Sequence, residues 1–288
     1  MNTIIITDSS SDLPLEYIEE NNILALGFSV IFKGKEFQDD LGKTLTYKDF
    51  YEGVRSGDMP STSQINVQTY YEVFRDYALK GYSVIYLGLS SGLSGSMNSS
   101  NVARASLLEE CPNADITIID TKAVSLGLGL IVYYANEMLK KGALTQEIIE
   151  WVENNKLKVN HWFTVDDLNH LKRGGRVSRA SAAIGTLLSI KPILHVDEEG
   201  RLVPILKAKG RKKSLRALVD IFKNRAVNPK DQIVFISHGD SEADALLLKD
   251  MLLKEASATK FIINPIGPVI GSHSGPGTVA LFFLGETR

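Results

Sequence analysis

Residues 88–96 read Gly-Leu-Ser-Ser-Gly-Leu-Ser-Gly-Ser, a stretch of backbone and hydroxyl groups with almost no bulk. The apolar run 83–87 leads into it and a helix-compatible segment, 98–110, follows. Glycines at 92 and 95 let the backbone approach a ligand closely. The free N–H groups of a helix start favour an anion, and the helix dipole adds to the attraction. Ser94 supplies a hydroxyl, and Thr62, in the polar loop Ser61-Thr-Ser-Gln64, supplies another. A third polar loop is Asp8-Ser-Ser-Ser-Asp12. The chemistry these residues suit is holding a small anionic head. The same turn also serves simply to connect a strand to a helix, with serine as its cap.

Covalent chemistry is less well spelled out. Around Ser94 the Gly-x-Ser-x-Gly elbow is incomplete, because position 96 is Ser. His161, His170, His195, His238 and His273 show no metal-ligand spacing with cysteine or carboxylates. A Gly-Lys-Ser/Thr phosphate loop is absent. His273 lies in Gly271-Ser-His-Ser-Gly-Pro-Gly277, read here as a turn between two strands, where it can pair with an anion or be incidental. Two basic stretches remain. Residues 171–178, Leu-Lys-Arg-Gly-Gly-Arg-Val-Ser, close a helix, where cations suit the dipole. Residues 207–213 place Arg211, Lys212 and Lys213 at a helix start, where each cation is unfavourable by ~0.3–1 kcal/mol. An acidic partner or a phosphate would offset that cost; a solvated face is the plainer reading.

The elements that must carry these residues alternate. Strand signals at 4–6, 24–32, 83–87 and 116–119 are spaced by helix signals starting near Pro14 and at 46–57, 67–80, 98–110 and 123–140. Asn66 and Thr145 stand as caps, and Thr46-Tyr-Lys-Asp49 resembles a capping box. Such alternation implies a parallel sheet with helices on both faces, a three-layer α/β/α arrangement. After residue 158 the pattern changes. A strand at 159–165 is followed by a hairpin around Asp197-Glu-Glu-Gly200, then helices from 212 and 241 and strands at 233–236, 261–263 and 279–284. A hairpin within a strand-helix series implies a mixed sheet. We therefore expect an α/β chain of two domains, 1–158 and 159–288.

The 288 residues include 44% hydrophobic and 23% charged side chains, as in globular proteins. A net charge of −2 argues against a protein committed to nucleic acid. Cys111 stands alone, so no internal disulfide forms, which suits a reducing compartment. With no signal-like N-terminus and no apolar run of ~20 residues, a cytoplasmic location is expected.

Six stretches in order, TDSSSDLP at 7–14, STSQ at 61–64, GLSSGLSGS at 88–96, LKRGGRVS at 171–178, LLSIKPIL at 187–194 and GPVIGSHSGPG at 267–277, resemble the DegV family of bacterial fatty-acid-binding proteins. Together they span nearly the whole chain. The resemblance implies a fold shared with part of the dihydroxyacetone kinases, its C-terminal domain two-layered. It implies a long-chain fatty acid, palmitate for example, held between the domains and no cofactor or metal. It also implies a separate fatty acid kinase that phosphorylates the presented carboxylate for phospholipid synthesis, with transient membrane-surface contact on the way. Carried over by residue, the carboxylate ligands fall on Thr62 and Ser94, with Gly95 beside them and His273 close by. Arg173 and Arg176 match basic positions near the domain interface and, with Arg211, Lys212 and Lys213, form the expected contact for kinase or phosphate. Ile65-Asn66-Val67 stands where the family commonly has a proline, and Met97 where an aromatic is common.

Burying roughly fifteen methylenes at ~0.8 kcal/mol each gives ~12 kcal/mol gross. Each hydrogen bond to the charged head adds ~1.5–3 kcal/mol. A tunnel would therefore dominate affinity, and the head ligands would set polarity. The apolar segment 126–134, thinned by Gly127 and Gly129, is a candidate wall, with ordinary helix packing as its alternative. Two other functions remain open at this point: a small-molecule enzyme on a kinase-like fold, acting through His273, and a regulatory module that senses lipid.

Overall fold

The computed structural model describes residues 2–178 and 190–288. The stretch 187–194 singled out above lies partly outside them, at 187–189.

Four strands, β1 (Asn2–Asp8), β2 (Leu24–Leu26), β6 (Tyr82–Gly88) and β7 (Ile116–Asp120), form an all-parallel sheet in the order β2-β1-β6-β7. The helices that follow or join them are α1 (Leu15–Glu20), α3 (Val67–Leu79), α4 (Ser96–Glu110), α5 (Leu126–Lys140) and α6 (Thr145–Asn155). Strand β6 is buried at six of its seven positions, as expected of a strand covered on both faces. Six strands lie beyond residue 158: β8 (Val159–Thr164), β9 (Ile190–Val196), β10 (Leu202–Lys209), β11 (Ile233–His238), β12 (Lys260–Pro265) and β13 (Val279–Leu284). They run in the order β10-β9-β8-β13-β11-β12 and are mixed, with only β11 and β12 parallel. The fold is thus the expected α/β, one parallel and one mixed sheet. Helices α7 (Asn169–Arg173), α8 (Arg211–Arg225), α9 (Glu242–Glu255) and α10 (Pro268–Ser274) accompany the second sheet.

Several elements depart from the sequence reading. The run 24–32 is two strands rather than one. After β2 the chain turns at Gly27 into β3 (Ser29–Phe32), which joins a small antiparallel sheet with β4 (Lys35–Gln38) and β5 (Ser61–Ser63). Any side chain at 27 would press on the Asp39 carbonyl, so glycine permits that approach. The residues Ser61–Ser63, expected as a loop, are the strand β5: Val30 pairs with Thr62 in register. Helix α5 begins at Leu126 rather than 123, because Ser125 adopts a positive φ of 54°. The turn expected around His273 is the helix α10, opened by Pro268.

Capping follows the sequence in part. The Asn66 side chain accepts from Thr69 N at 2.9 Å at the head of α3. Helix α2 (Tyr47–Arg55) is capped by Thr46, but the Asp49 carboxylate accepts from the Thr46 hydroxyl at 2.7 Å. Thr145 does not cap α6. Glu147 instead accepts the Leu144 N–H at 2.7 Å, and the Thr145 hydroxyl meets Thr3 at 2.7 Å.

Candidate functional site

One cavity of about 250 Å³ lies between the loops of the parallel sheet and the inner face of the mixed sheet. Its walls are mostly apolar: Phe28, Phe163, Val196, Ile266, Val269 and Phe282 are among them. Its polar lining includes Thr62, Gln64, Ser94, Gly95, Arg176 and His273. All four residues proposed for a carboxylate therefore border one space.

Each reaches it by a different route. Thr62 is delivered by β5 and held in register by β3. His273 is delivered by α10, whose first turn is anchored where Gly267 N donates to the Asp12 carboxylate at 2.8 Å. Ser94 sits in the turn after β6, its backbone N–H bonded to Ser90 O at 3.2 Å, and its hydroxyl accepts from Ser96 N at 3.2 Å. Gly95 is the N-cap of α4 with an ordinary φ of −74°, so conformational freedom is not what it supplies. A side chain there would run into the Gln64 amide. Gln64 in turn donates to Ser99 at 3.1 Å, tying β5 to α4.

Thr62 Oγ1 and His273 Nε2 lie 2.8 Å apart. Burial, assisted by the Arg176 and Arg173 charges, pushes the His273 pKa down to about 4, so the imidazole is neutral at pH 7. Its Nδ1 is buried without a hydrogen-bond partner. An orphaned lone pair costs less than an orphaned N–H, which favours the proton on Nε2. The imidazole then donates to Thr62, and the threonine hydroxyl is free to donate into the cavity. Arg176 lines the same space, with its Nε donating to Leu93 O at 3.2 Å.

The other basic candidates separate. Arg173 is exposed and bonds His170 Nδ1 at 3.0 Å, outside the cavity. Arg211 is engaged within the chain: its guanidinium pairs with Asp166 and, at 3.1 Å, with Asp244, and it donates to Gly277 O. The acid sought for that helix start is therefore the protein's own. Lys212 and Lys213 are exposed.

The loop Asp8–Asp12 does not border the cavity; it is buried scaffolding. Asp8 accepts from Leu89 N at 2.9 Å and Tyr86 OH at 3.0 Å. Tyr86 continues to Tyr70 at 2.7 Å and Tyr70 to Ser96 at 2.8 Å. Position 96 thus ends a buried chain of hydroxyls, and a glycine there would break it. Asp12 holds two helix starts at once, Gly267 N–H and the Ser125 hydroxyl at 2.5 Å. Burial pushes Asp12 up to about 8 and Asp39 up to about 7. The helix wall expected over 126–134 is not part of the lining; Val124 and Ser125, just before α5, are, while α5 packs into the core. Sequence reasoning singled out Gln64 only as part of its polar loop and missed Tyr70 and Tyr86, whose hydroxyl chain joins residues distant in sequence and leaves no local signature. Among the described residues no group of side chains could hold a metal ion, and no helix is long and apolar enough to cross a membrane.

Comparison with known proteins places these features in company. A family model described as "Uncharacterised protein, DegV family" matches residues 2–286. A DegV domain-containing protein of Clostridium perfringens is 50% identical over 285 residues, covering 99% of this chain and 98% of that one. A solved DegV family protein from Thermus thermophilus, described as binding fatty acid, is 30% identical with a TM-score of 0.89, covering 99% and 100% of the two chains. A fatty-acid-binding DegV family protein from Streptococcus agalactiae is 32% identical with a TM-score of 0.85, covering 100% of both.

Proposed function

This chain belongs to the DegV family, and from that premise we propose that it binds one long-chain fatty acid with its carboxylate at Thr62, Ser94, Gly95 and His273. The observation that carries the reading is the Thr62–His273 pair, 2.8 Å apart, bordering an otherwise apolar cavity. The hydroxyls of Thr62 and Ser94 and the backbone N–H of Gly95, the N-cap of α4, donate to the carboxylate. Arg176, beside them, supplies positive charge. The tail lies along the apolar face of the mixed sheet, so the acid sits between the two domains, 1–158 and 159–288.

The protein is a carrier in this reading, without a catalytic residue of its own. It presents the carboxylate to a separate kinase, and Arg173, Lys212 and Lys213 are exposed cations suited to an acidic kinase face or a passing phosphate. Mass spectrometry of the organic extract from purified protein tests the ligand. A long-chain acid near one equivalent is expected; a small polar metabolite, or no acid in protein offered one, overturns the reading. Adding a fatty acid kinase and ATP tests presentation, with acyl phosphate as the expected product.

A further inference from the structure

His161 is 1% exposed, lies on the central strand β8, and has no part in head-group binding. On β8 the side chains of His161 and Phe163 face the cavity, and on β13 those of Ala280 and Phe282 do. Register places Ala280 opposite Phe163 and Phe282 opposite His161. Trp162 is opposite His195, so Val196 flanks His161 on its other side, and Leu202 pairs with Val196. Phe282, His161, Val196 and Leu202 therefore form one row across four strands, and all four line the cavity. The next inward-facing position along β8, Val159, is fully buried in the core and does not line it. The cavity floor stops at this row, away from Thr278 and Ser274, which border it near the helix that bears His273.

The ring at the centre of the row is fixed. Its Nδ1 lies 2.9 Å from Val159 O, which can only accept, so Nδ1 carries the proton. Its Nε2 receives the Val124 N–H at 3.4 Å. Phe282 meets it edge-on at a centroid distance of 5.5 Å, and Gly127 of α5 comes so close that any side chain there would strike Nε2. Burial holds its pKa well below the usual value, so the imidazole stays neutral. With both nitrogens occupied by backbone, the ring offers carbon to the cavity and behaves there as a rigid apolar stop.

Resting on the fatty-acid reading above, we infer that His161 is the residue that limits acyl-chain length, closing the tail end of the cavity with a ring pinned from two sides. An all-trans chain advances about 1.2 Å per bond, as three bonds of extended backbone span ~3.5 Å. Removing the ring opens a space some three carbons deep.

The experiment offers delipidated protein an equimolar mixture of saturated acids from dodecanoic to eicosanoic and reads the retained acids by mass spectrometry. His161→Ala is expected to move the centre of the distribution two to three carbons longer than wild type. His161→Asn keeps a donor where Nδ1 sits, so it preserves the bond to Val159 should the alanine variant fold poorly, and it should move the centre in the same direction. Wild type and a folded variant retaining the same distribution would overturn the length limit while leaving the fatty-acid reading intact. A wild-type protein that retains no acid from the mixture would overturn both.

Discussion

Thr62 and His273 stand 211 positions apart and meet at 2.8 Å. One arrives on a three-residue strand and the other on a seven-residue helix. Their meeting converts two weak local signals into a donor pair at the edge of an apolar cavity. The burial that neutralises His273 would also strengthen the proposed grip on an anion, because less water competes for the donated proton.

Removing the head-group donors should weaken binding without abolishing it. Thr62→Ala combined with Ser94→Ala deletes two hydrogen bonds to a charged group, each worth ~1.5–3 kcal/mol. A loss of about 3 kcal/mol corresponds to roughly a 100-fold rise in Kd. The tail keeps the larger share of the binding energy, so saturable binding should persist in a fluorescent fatty acid displacement assay. An unchanged Kd would count against the head site.

Charge reversal at Lys212 and Lys213 should separate presentation from binding. Both side chains are exposed and away from the cavity. Lys212→Glu with Lys213→Glu is expected to lower acyl-phosphate formation by a kinase several-fold while the Kd for the acid stays at the wild-type value. Arg211→Glu differs, because it leaves Asp166 and Asp244 facing a new negative charge. That variant should melt at lower temperature by differential scanning fluorimetry.

Much of this architecture is legible in the sequence because its signals are local. The parallel strands are short apolar runs, and the Ser94–Gly95 turn announces itself by lacking bulk. What is hidden depends on distant partners. β5 is three polar residues with no alternation to betray a strand, and only its register against β3 makes it one. The run 24–32 gives no sign that it changes sheets, because Gly27 acts through contact with Asp39. Arg211 looks unpartnered at a helix start until the fold brings up Asp166, 45 positions earlier. His161 reads as one polar residue within a strand, and its role follows from the neighbours on three other strands.

The turn that bears Ser94 should be sensitive to a single methyl group. A Cβ at Gly92 would lie 2.6 Å from Glu199 O and 3.0 Å from Gly200 O, both backbone atoms of the β9–β10 hairpin tip. Neither can swing aside as a side chain would. Ser90 already binds that tip, donating to Gly200 O at 2.9 Å. Gly92→Ala should cost ~1–3 kcal/mol, as overpacking does. A fall in Tm of several degrees is expected, together with weaker acid binding as Ser94 is displaced. A variant that melts and binds as wild type would show that the hairpin tip yields freely.

Asp12 should make stability depend on pH in the direction opposite to most carboxylates. Its pKa is pushed up to about 8 in the folded protein, chiefly by burial, against 3.8 for the free side chain. Between those values the folded state binds more protons than the unfolded chain. Its contribution is therefore full below pH 4, falls as pH rises toward 8, and levels off above. His273 works the other way, with a folded pKa of about 4 below its ordinary 6.5, and costs stability as pH drops through that window. Comparing wild type with Asp12→Asn isolates the carboxylate, since His273 titrates in both. The amide oxygen can still accept from Gly267 N–H, and its NH2 can donate to the Ser125 oxygen once that hydroxyl, which donates to the Asp12 carboxylate, turns toward Ser237. Urea midpoints should therefore draw together as pH falls to 4, with the variant increasingly the more stable toward pH 9. Equal slopes from pH 5 to pH 9 would mean that Asp12 is ionised throughout, its charge carried by the two helix starts it joins.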